Sequence, residues 1–442
     1  MSKRVSRKDR LFAAVWGGQL LSLTGSSAAA ITIALTVYAE TGSATDLVLI
    51  TAVGTLTSIY LAPIAGTVAD RFPRRIVLIF CNAALSTLSV LLALVMSSDS
   101  TSNALWLSVL LGLLFAAGIL NAALSVTLAA SVRQLRPEAD LTRINGVTSL
   151  IEAAPTLVGP VLGAAVYAAF SPSIVLLFDA ATFGIPALLL LKMRWDEHPS
   201  QAPERGRRLF AGAAAGLRFV LGHPDLRRLQ ISYAAINFCN GLTAAVLTVY
   251  VLTASSATDA NRNLAMVNTA ASVGLLLGSA VAVGLGRRVN RAILIGGSLL
   301  AAPAVGRLGL ALTAIPLVWA ITHAVNSAAL QVSNTSLTAI WQERVPPEQQ
   351  ASVFGARRLL GQGPYPVAVL LGGWLLGHTF ASDSALTVSA AQVFPRFAAP
   401  GGGAGLLISL AAVVQLVISF ILLASPHLKR VAMPPQPAST AR

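Results

Sequence analysis

Long apolar segments of about 20 residues alternate with short polar connections along almost the whole chain. A helix of that length spans the roughly 30 Å hydrocarbon core of a bilayer, so each segment predicts a transmembrane helix. Segments such as 105–120 are continuously apolar, whereas strands of a membrane barrel alternate apolar and polar positions. The pattern predicts twelve helices, at 11–39, 46–69, 76–97, 104–131, 145–170, 173–193, 229–254, 263–285, 292–313, 315–341, 353–378 and 403–425.

Composition agrees with this interpretation. The chain is 55% hydrophobic and 11% charged, and its mean hydropathy is +0.73. A soluble protein carries about 25% charged residues, so lipid is the predicted solvent. The first apolar segment runs far beyond the 7–15 residues of a signal-peptide core and is predicted as the first span.

Positive charge is concentrated on one side of the predicted membrane. The chain has a net charge of +14, and all of its Lys and Arg except Arg262, Arg307 and Arg396 fall on that side. Such a distribution marks the cytoplasmic face, so both termini are predicted to be cytoplasmic. It favours contact with anionic lipid over nucleic acid. The arginine- and alanine-rich composition suggests a bacterial chain, hence the inner (plasma) membrane.

The longest inner connection divides the chain into six plus six spans. We predict an N-terminal six-helix bundle at 1–193, a cytoplasmic linker with an interfacial helix at 194–228, a second bundle at 229–425 and a disordered tail at 426–442. Residues 71–79 align with 287–295, and 135–138 with 345–348, each pair at equivalent positions of the two halves. The repetition indicates duplicated, pseudo-symmetric halves.

The short turn between spans two and three carries unusual charge. Its charged and glycine positions are Gly66, Asp70, Arg71, Arg74 and Arg75. They resemble the signature that the major facilitator superfamily of secondary transporters has here, with Pro73 where Gly is usual. The resemblance implies an all-α membrane protein of twelve helices in two pseudo-symmetric six-helix bundles. Residues 178–183 and 216–228 are similar to the branch of enterobactin exporters and macrolide efflux pumps.

A second signature lies in span five, in Gly159-Pro160-Val161-Leu162-Gly163. It is similar to the motif of drug:proton antiporters, although Pro155 stands where an upstream Gly is expected. The resemblance implies export. The alternative is a proline kink whose small residues permit close helix packing.

The acid of the charged turn needs its own explanation. A second turn at 287–291 repeats the arginines without the acid, so orientation in the membrane does not account for Asp70. A carboxylate at such a turn can meet a helix N-terminus or an arginine. The resemblance implies the start of span eleven, near Arg357 and Arg358, and we predict that Asp70 holds the inner side shut. Pairing with a neighbouring arginine of the turn is the alternative.

The resemblance also implies that spans one, four, seven and ten line a substrate cavity. Polar side chains share a helix face in these spans, as a lining surface requires. The predicted cavity residues are Gln19, Ser22, Ser26, Asn121, Asn237, Asn240, His323, Asn326, Gln331 and Asn334. Hydrogen bonding between packed helices is the alternative for such stripes.

Ionisable groups inside a membrane are costly and are therefore candidates for function. Glu152 in span five can lose its charge by binding a proton, and it is predicted to couple protons or to bind a cationic group; an ion pair with an arginine is the alternative. Asp179 in span six either binds protons or bonds to a neighbouring helix. His323 in span ten can titrate near neutrality. Arg307 in span nine is predicted to snorkel or to be paired.

These observations predict a secondary transporter whose halves rock about a midplane site. The predicted function is proton-driven efflux of a small amphiphilic organic compound such as a drug, antibiotic, siderophore or secondary metabolite. A facilitator moving a lipid or metabolite inward is one alternative, and a non-transporting membrane sensor or scaffold is another. No enzyme activity, cofactor, metal or nucleic acid is predicted. The predicted partners are the substrate, protons and the bilayer, and the chain is predicted to be a monomer.

Overall fold

The computed structural model describes residues 7–97, 104–135, 141–193, 209–286, 288–381 and 383–432. Those residues are almost entirely helical. In chain order the helices are α1 (Arg7–Thr41), α2 (Ala44–Tyr60), α3 (Ala62–Arg71), α4 (Arg74–Met96), α5 (Ala104–Leu135), α6 (Leu141–Ala169), α7 (Pro172–Lys192), α8 (Leu209–Gly222), α9 (Pro224–Ala254), α10 (Ala260–Leu285), α11 (Arg291–Ala301), a π-helical turn (Ala302–Arg307), α12 (Leu308–Ala311), α13 (Pro316–Arg344), a 3₁₀ turn (Pro347–Gln349), α14 (Gln350–Gln362), α15 (Pro364–His378), α16 (Ala385–Val393), a 3₁₀ turn (Pro395–Ala398), α17 (Gly402–Ala424) and α18 (Pro426–Ala432).

Most of these helices fit a membrane. Among the described residues, ten helical segments are long and apolar enough to cross a bilayer, and α2 with α3 makes an eleventh as a pair bent by 53°. The predicted all-α membrane fold is therefore confirmed. The helix α13 occupies the predicted tenth segment, and its 29 residues are also long enough to span. It is not among the ten segments above because its many polar side chains lower its mean hydropathy.

Prolines explain where the spans break. Pro63 follows the junction of α2 and α3, Pro303 lies in the π-helical turn, and Pro364 begins α15. Proline lacks the N–H that an α-helix needs and clashes with the carbonyl four residues earlier. Each of these three breaks is therefore explained by a proline in the local sequence.

The chain divides into two compact units, each with its own core. Unit 1 contains the described residues of Met1–Ala139, Ile151–Val220 and Val345–Leu359, and unit 2 those of Asp140–Leu150, Leu221–Arg344 and Leu360–Arg442. The core of unit 1 includes Trp106 and Leu176, and that of unit 2 includes Tyr250 and Trp319. The units differ from the predicted bundles at two helices. The start of α6, from the N-terminal half of the chain, belongs to unit 2, and most of α14, from the C-terminal half, belongs to unit 1, because each packs on helices of that unit.

Both units pair their helices in the same way. In unit 1, α4 packs on α5 and α7, α1 packs on α7, and α2 packs on α5. In unit 2, α11 packs on α13 and α17, α9 packs on α17, and α10 packs on α13. Counted by spans within each half, these are the same pairs, which supports the predicted duplication.

Two regions differ from prediction. The connection before α17 contains α16 and a 3₁₀ turn, which the sequence pattern does not predict. Disorder is predicted from 426 onward and is wrong for Pro426–Ala432, which forms α18; residues 433–442 lie outside the described part. The helix is held at the start of α9, where His427 and Arg430 contact the carboxylate of Asp225.

Candidate functional site

Unit 1 holds one carboxylate deep between three spans. Asp179 on α7 is 4% exposed. Its Oδ1 accepts a hydrogen bond from Ser26 Oγ on α1 (3.1 Å), and its Oδ2 accepts one from Ser89 Oγ on α4 (2.6 Å). A side chain at Gly25 would lie 2.4 Å from Thr182 Oγ1, so glycine is what lets α1 approach α7 here. We call Asp179, Ser26 and Ser89 the Asp179 site.

No cation balances this carboxylate. Among the described residues, none that is positively charged lies within salt-bridge distance of Asp179. A buried carboxylate with only hydroxyl donors either remains charged at a large desolvation cost or binds a proton. The predicted hydrogen bonds to neighbouring helices are present, and they leave proton binding chemically possible.

Unit 2 holds one arginine in a comparable environment. Arg307, the last residue of the π-helical turn, is 4% exposed. Its Nη1 donates to Gln415 Oε1 on α17 (2.5 Å), and its Nη2 donates to Asn240 Oδ1 on α9. Of the two predicted alternatives for Arg307, snorkelling and pairing, the structure shows a buried guanidinium that is paired with two amide oxygens. We call Arg307, Asn240 and Gln415 the Arg307 site.

Two predicted cavity residues of span seven are linked to this site. Asn240 Nδ2 donates to Asn237 Oδ1 (3.3 Å), and Asn237 Nδ2 donates to the carbonyl of Gly361 (2.9 Å). Sequence spacing placed the asparagines on one helix face, but it gave no indication that Arg307 joins them.

The remaining polar residues of span ten have different surroundings. His323 is half-buried, whereas Asn334 is exposed. Asn326 is buried beside Gly306, where an added Cβ would lie 2.5 Å from Asn326 Cβ. Gln331 Nε2 donates to Ser279 Oγ on α10 (3.2 Å). The stripe therefore divides into accessible positions and positions used in helix packing.

Spans one and four show the same division. Ser22 is fully buried, and its Oγ donates to the Gln19 carbonyl (3.2 Å). The side chain of Gln19 lines a small cleft inside unit 1 together with Asn82. Asn121 on α5 is exposed and donates to the Ala117 carbonyl of its own helix (2.9 Å).

Glu152 on α6 is exposed, unlike Asp179. Arg358, an arginine of the predicted ion pair, donates to Ser125 Oγ on α5 and to Ser58 Oγ on α2 (3.2 Å). Among the described residues, no cation lies within salt-bridge distance of Glu152. The ion-pair alternative therefore has no direct contact behind it, whereas Asp179 has hydroxyl partners on two other helices.

The antiporter-like motif brings α6 against α1. An added Cβ at Gly159 would lie 2.2 Å from Ser27 Cβ, and one at Gly163 would lie 2.7 Å from the Ala28 carbonyl oxygen. Pro155 is buried, and α6 continues without a break through Pro160. Small residues are therefore required for this crossing.

In the first charged turn (66–75), the acid meets a helix N-terminus. Asp70 Oδ1 accepts from the Ala351 N–H (3.0 Å), and Oδ2 accepts from the Ser352 N–H (2.7 Å), in the first turn of α14. These N–H groups lack partners within the helix, and the helix dipole favours a negative charge there. An added Cβ at Gly66 would lie 2.2 Å from the Ala351 carbonyl oxygen, so α3 and α14 touch through their backbones.

The arginines of the same turn bind helix C-termini. Arg75 donates to the carbonyls of Leu190 and Leu191 at the end of α7 (both 3.0 Å). Arg74 donates to the Ala130 carbonyl near the end of α5 (2.5 Å). Cations are favoured at helix C-termini. The turn therefore joins three helix ends with charges of the appropriate sign, while Arg71 is exposed and Arg357 is half-buried.

The second charged turn (286–291) is built differently. Gly286 stands at the position of Asp70, and an added Cβ there would lie 3.2 Å from the Arg143 backbone nitrogen near the start of α6. Arg291 Nε donates to Thr142 Oγ1 (2.9 Å), and its Nη1 binds Glu343 Oε2 (2.6 Å). Asn145 Nδ2 donates to Gln342 Oε1 (2.7 Å), which adds a neutral contact between α6 and α13.

Two bundles with the same helix pairing, each with a polar group buried in its interior, define a polytopic membrane transporter. The chain belongs to the Major Facilitator Superfamily, whose family profile matches residues 15–369. No curated protein sequence is similar enough to be matched to it.

Solved structures resemble the chain over nearly its whole length. A bacterial homologue of the iron transporter ferroportin in the outward-facing state has a TM-score of 0.66 at 16% identity, covering 93% of this chain and 99% of its own. The human organic anion transporter MFSD10 (TETRAN) has a TM-score of 0.67 at 18% sequence identity, and the match covers 94% of this chain and 99% of its own. The E. coli fucose:proton symporter FucP has a TM-score of 0.64 at 15% identity, with the same coverage of the two chains. At these identities the likeness establishes the fold alone.

Proposed function

We propose that this protein is a proton-coupled secondary transporter that exports a small amphiphilic organic compound. The observation that carries the coupling is the Asp179 carboxylate, which is buried, bound only by hydroxyl groups and unbalanced by any cation of the described residues. Binding a proton removes its charge, so protonation changes the stability of the arrangement around it. A ligand that binds one state better shifts the population toward that state, which is the requirement for coupling.

Asp179 is favoured over Glu152 as the coupling residue. Ser26 and Ser89 place Asp179 in contact with α1 and α4, so a change in its charge acts on three spans at once. The export direction is supported by the resemblance of 155–163 to the antiporter motif.

The coupling is tested in proteoliposomes with an imposed pH gradient. Asp179→Asn should abolish dye accumulation driven by the gradient, while Glu152→Gln should retain it. Asp259→Asn is the matched control, because it removes an exposed acid from the N-cap of α10. Proton-driven transport that persists in Asp179→Asn and disappears in Glu152→Gln would move the coupling site to Glu152.

Direction is measured separately in everted membrane vesicles. An exporter accumulates its substrate inside such vesicles when their interior is acidified. Accumulation only in right-side-out vesicles would identify an inward carrier instead.

A further inference from the structure

We propose that the Arg307 site binds the anionic group of the substrate, so that the transported compound is an organic anion. This inference rests on the proposed function, because it names the substrate class of the same transporter. It is carried by three features of unit 2: an unbalanced charge, unused hydrogen-bond donors, and a route from accessible side chains to that charge.

The charge of Arg307 has no counter-ion in the part of the chain that the structure describes. Among the described residues, no carboxylate lies within salt-bridge distance of its guanidinium, which is bound by two amide oxygens. An arginine remains protonated under all ordinary conditions, so it cannot escape the cost of burial as an acid can. A permanent positive charge in a membrane interior is therefore an attractive site for an anion.

Donors of the same site remain unused. Arg307 Nε and Gln415 Nε2 are both buried and have no hydrogen-bond partner among the residues that the structure describes. Because Gln415 Oε1 accepts from Arg307, its amide nitrogen can act only as a donor. Buried donors without partners are costly. An acceptor with negative charge, such as a carboxylate, satisfies both the donors and the charge.

The site is connected to accessible residues. Asn240 and His323 are half-buried, and Tyr365 is 37% exposed. Asn240 contacts the guanidinium directly. Tyr365 lies against Gly241, the next residue of α9, where an added Cβ would be 2.5 Å from the Tyr365 carbonyl oxygen. At a given distance, two charges interact more strongly in a low-dielectric interior than in water. An anion that reaches these side chains is thus already attracted by Arg307.

The backbone supports a role beyond packing. Arg307 ends the π-helical turn, and such turns occur mostly as single insertions in α-helices, often at functional sites. The amide relay from Asn240 through Asn237 to the Gly361 carbonyl fixes the orientation of Asn240, with its oxygen toward the guanidinium. The positive group is therefore held in place before any ligand arrives.

The experiment compares two dyes that share a ring system, anionic carboxyfluorescein and cationic rhodamine 6G. Fluorescence anisotropy measures their binding to the purified full chain, and proteoliposome assays measure their transport. We expect Arg307→Gln to weaken carboxyfluorescein binding about tenfold or more, since it removes a charge-assisted contact. Arg307→Lys keeps the charge and should retain part of the binding. Arg262→Gln, at an exposed arginine of α10, is the control and should change neither dye.

Three outcomes overturn the inference. The first is that carboxyfluorescein fails to bind the wild-type chain. The second is that Arg307→Gln leaves its binding unchanged, and the third is that Arg307→Gln weakens the binding of both dyes equally, as loss of a purely structural arginine would. If rhodamine 6G is nevertheless carried by a pH gradient, the proposed function stands without the anionic substrate. If carboxyfluorescein binds through Arg307 but no gradient drives either dye, the anion site stands and proton coupling fails.

Discussion

The Asp179 site and the Arg307 site lie in equivalent spans of the two halves and carry opposite charges. Each joins the first, third and sixth span of its half, and each central residue is 4% exposed. A carboxylate can be neutralised by a proton, whereas a guanidinium cannot. In the proposed mechanism, the two duplicated bundles therefore have different roles: one binds a proton reversibly, and the other holds a fixed positive charge.

The charged turns show a similar asymmetry. In unit 1, Asp70 binds the N-terminus of α14 with a full negative charge. In unit 2, Gly286 takes that position, and Arg291 binds Thr142 and Glu343 instead. The buried charged residue of unit 1 is therefore an acid and that of unit 2 an arginine, whereas at the charged turn the acid of unit 1 is replaced by Gly286 in unit 2.

The largest expected effect follows from the two opposite charges together. Exchange of one monovalent anion outward for one proton inward moves two elementary charges, about 4.6 kcal/mol at 100 mV, or roughly a thousandfold in the limiting gradient. Exchange of a monovalent cation for a proton moves none. A potassium-diffusion potential in proteoliposomes should thus change the steady-state gradient of carboxyfluorescein and leave that of rhodamine 6G unchanged. If the steady-state gradients of both dyes respond equally to the potential, the proposal that unit 1 binds the proton and unit 2 binds an anion is wrong.

The next effect concerns stability. Arg307→Met leaves the oxygens of Asn240 and Gln415 without their donor, at about 1–3 kcal/mol each. Asp179→Leu should cost less, because serine hydroxyls can turn back to carbonyls of their own helices.

The stability difference is measurable with the natural thiols. Cys81 in unit 1 and Cys239 in unit 2 are buried, so a thiol-reactive fluorophore reports their exposure on heating. Arg307→Met should lower the apparent Tm clearly more than Asp179→Leu. The reverse order would show that the carboxylate, and not the guanidinium, depends on its partners.

A smaller effect is expected at the first charged turn. Asp70→Asn keeps one acceptor oxygen but loses the charge that binds two N–H groups, which weakens the contact by about 1.5–3 kcal/mol. A cysteine placed at Ala351, which is 2% exposed, should then react about tenfold faster with a water-soluble maleimide. The same cysteine in an Asp259→Asn background is the control. An unchanged rate would remove Asp70 as the residue that holds α14.

The smallest effect separates the two hydroxyls of the Asp179 site. Ser89→Ala removes the shorter hydrogen bond and should lower stability by about 1 kcal/mol. Thr87→Ala removes only a bond to the Ala83 carbonyl of the same exposed helix face and should change little. Equal Tm values for both variants would show that Ser89 adds nothing to the site.

Much of the fold was predictable because a membrane helix shows itself as one continuous apolar segment of the sequence. All twelve predicted segments overlap observed helices, and Pro63, Pro303 and Pro364 account for the interruptions. The helix α16 was missed because a nine-residue segment is too short to show a membrane-length pattern. Helix α18 was missed because its order depends on a distant partner, Asp225 of α9.

The sequence by itself determined the membrane as solvent, the helices, the duplication and the charged turns, because hydrophobic length and charge are read within a few neighbouring residues. Tertiary structure alone decided which polar residues meet: Asp179 with two hydroxyls, Arg307 with two amides, and Asp70 with the first N–H groups of α14. Those contacts join residues from 67 to 282 positions apart. No local pattern encodes such pairs, since they exist only once the helices have packed.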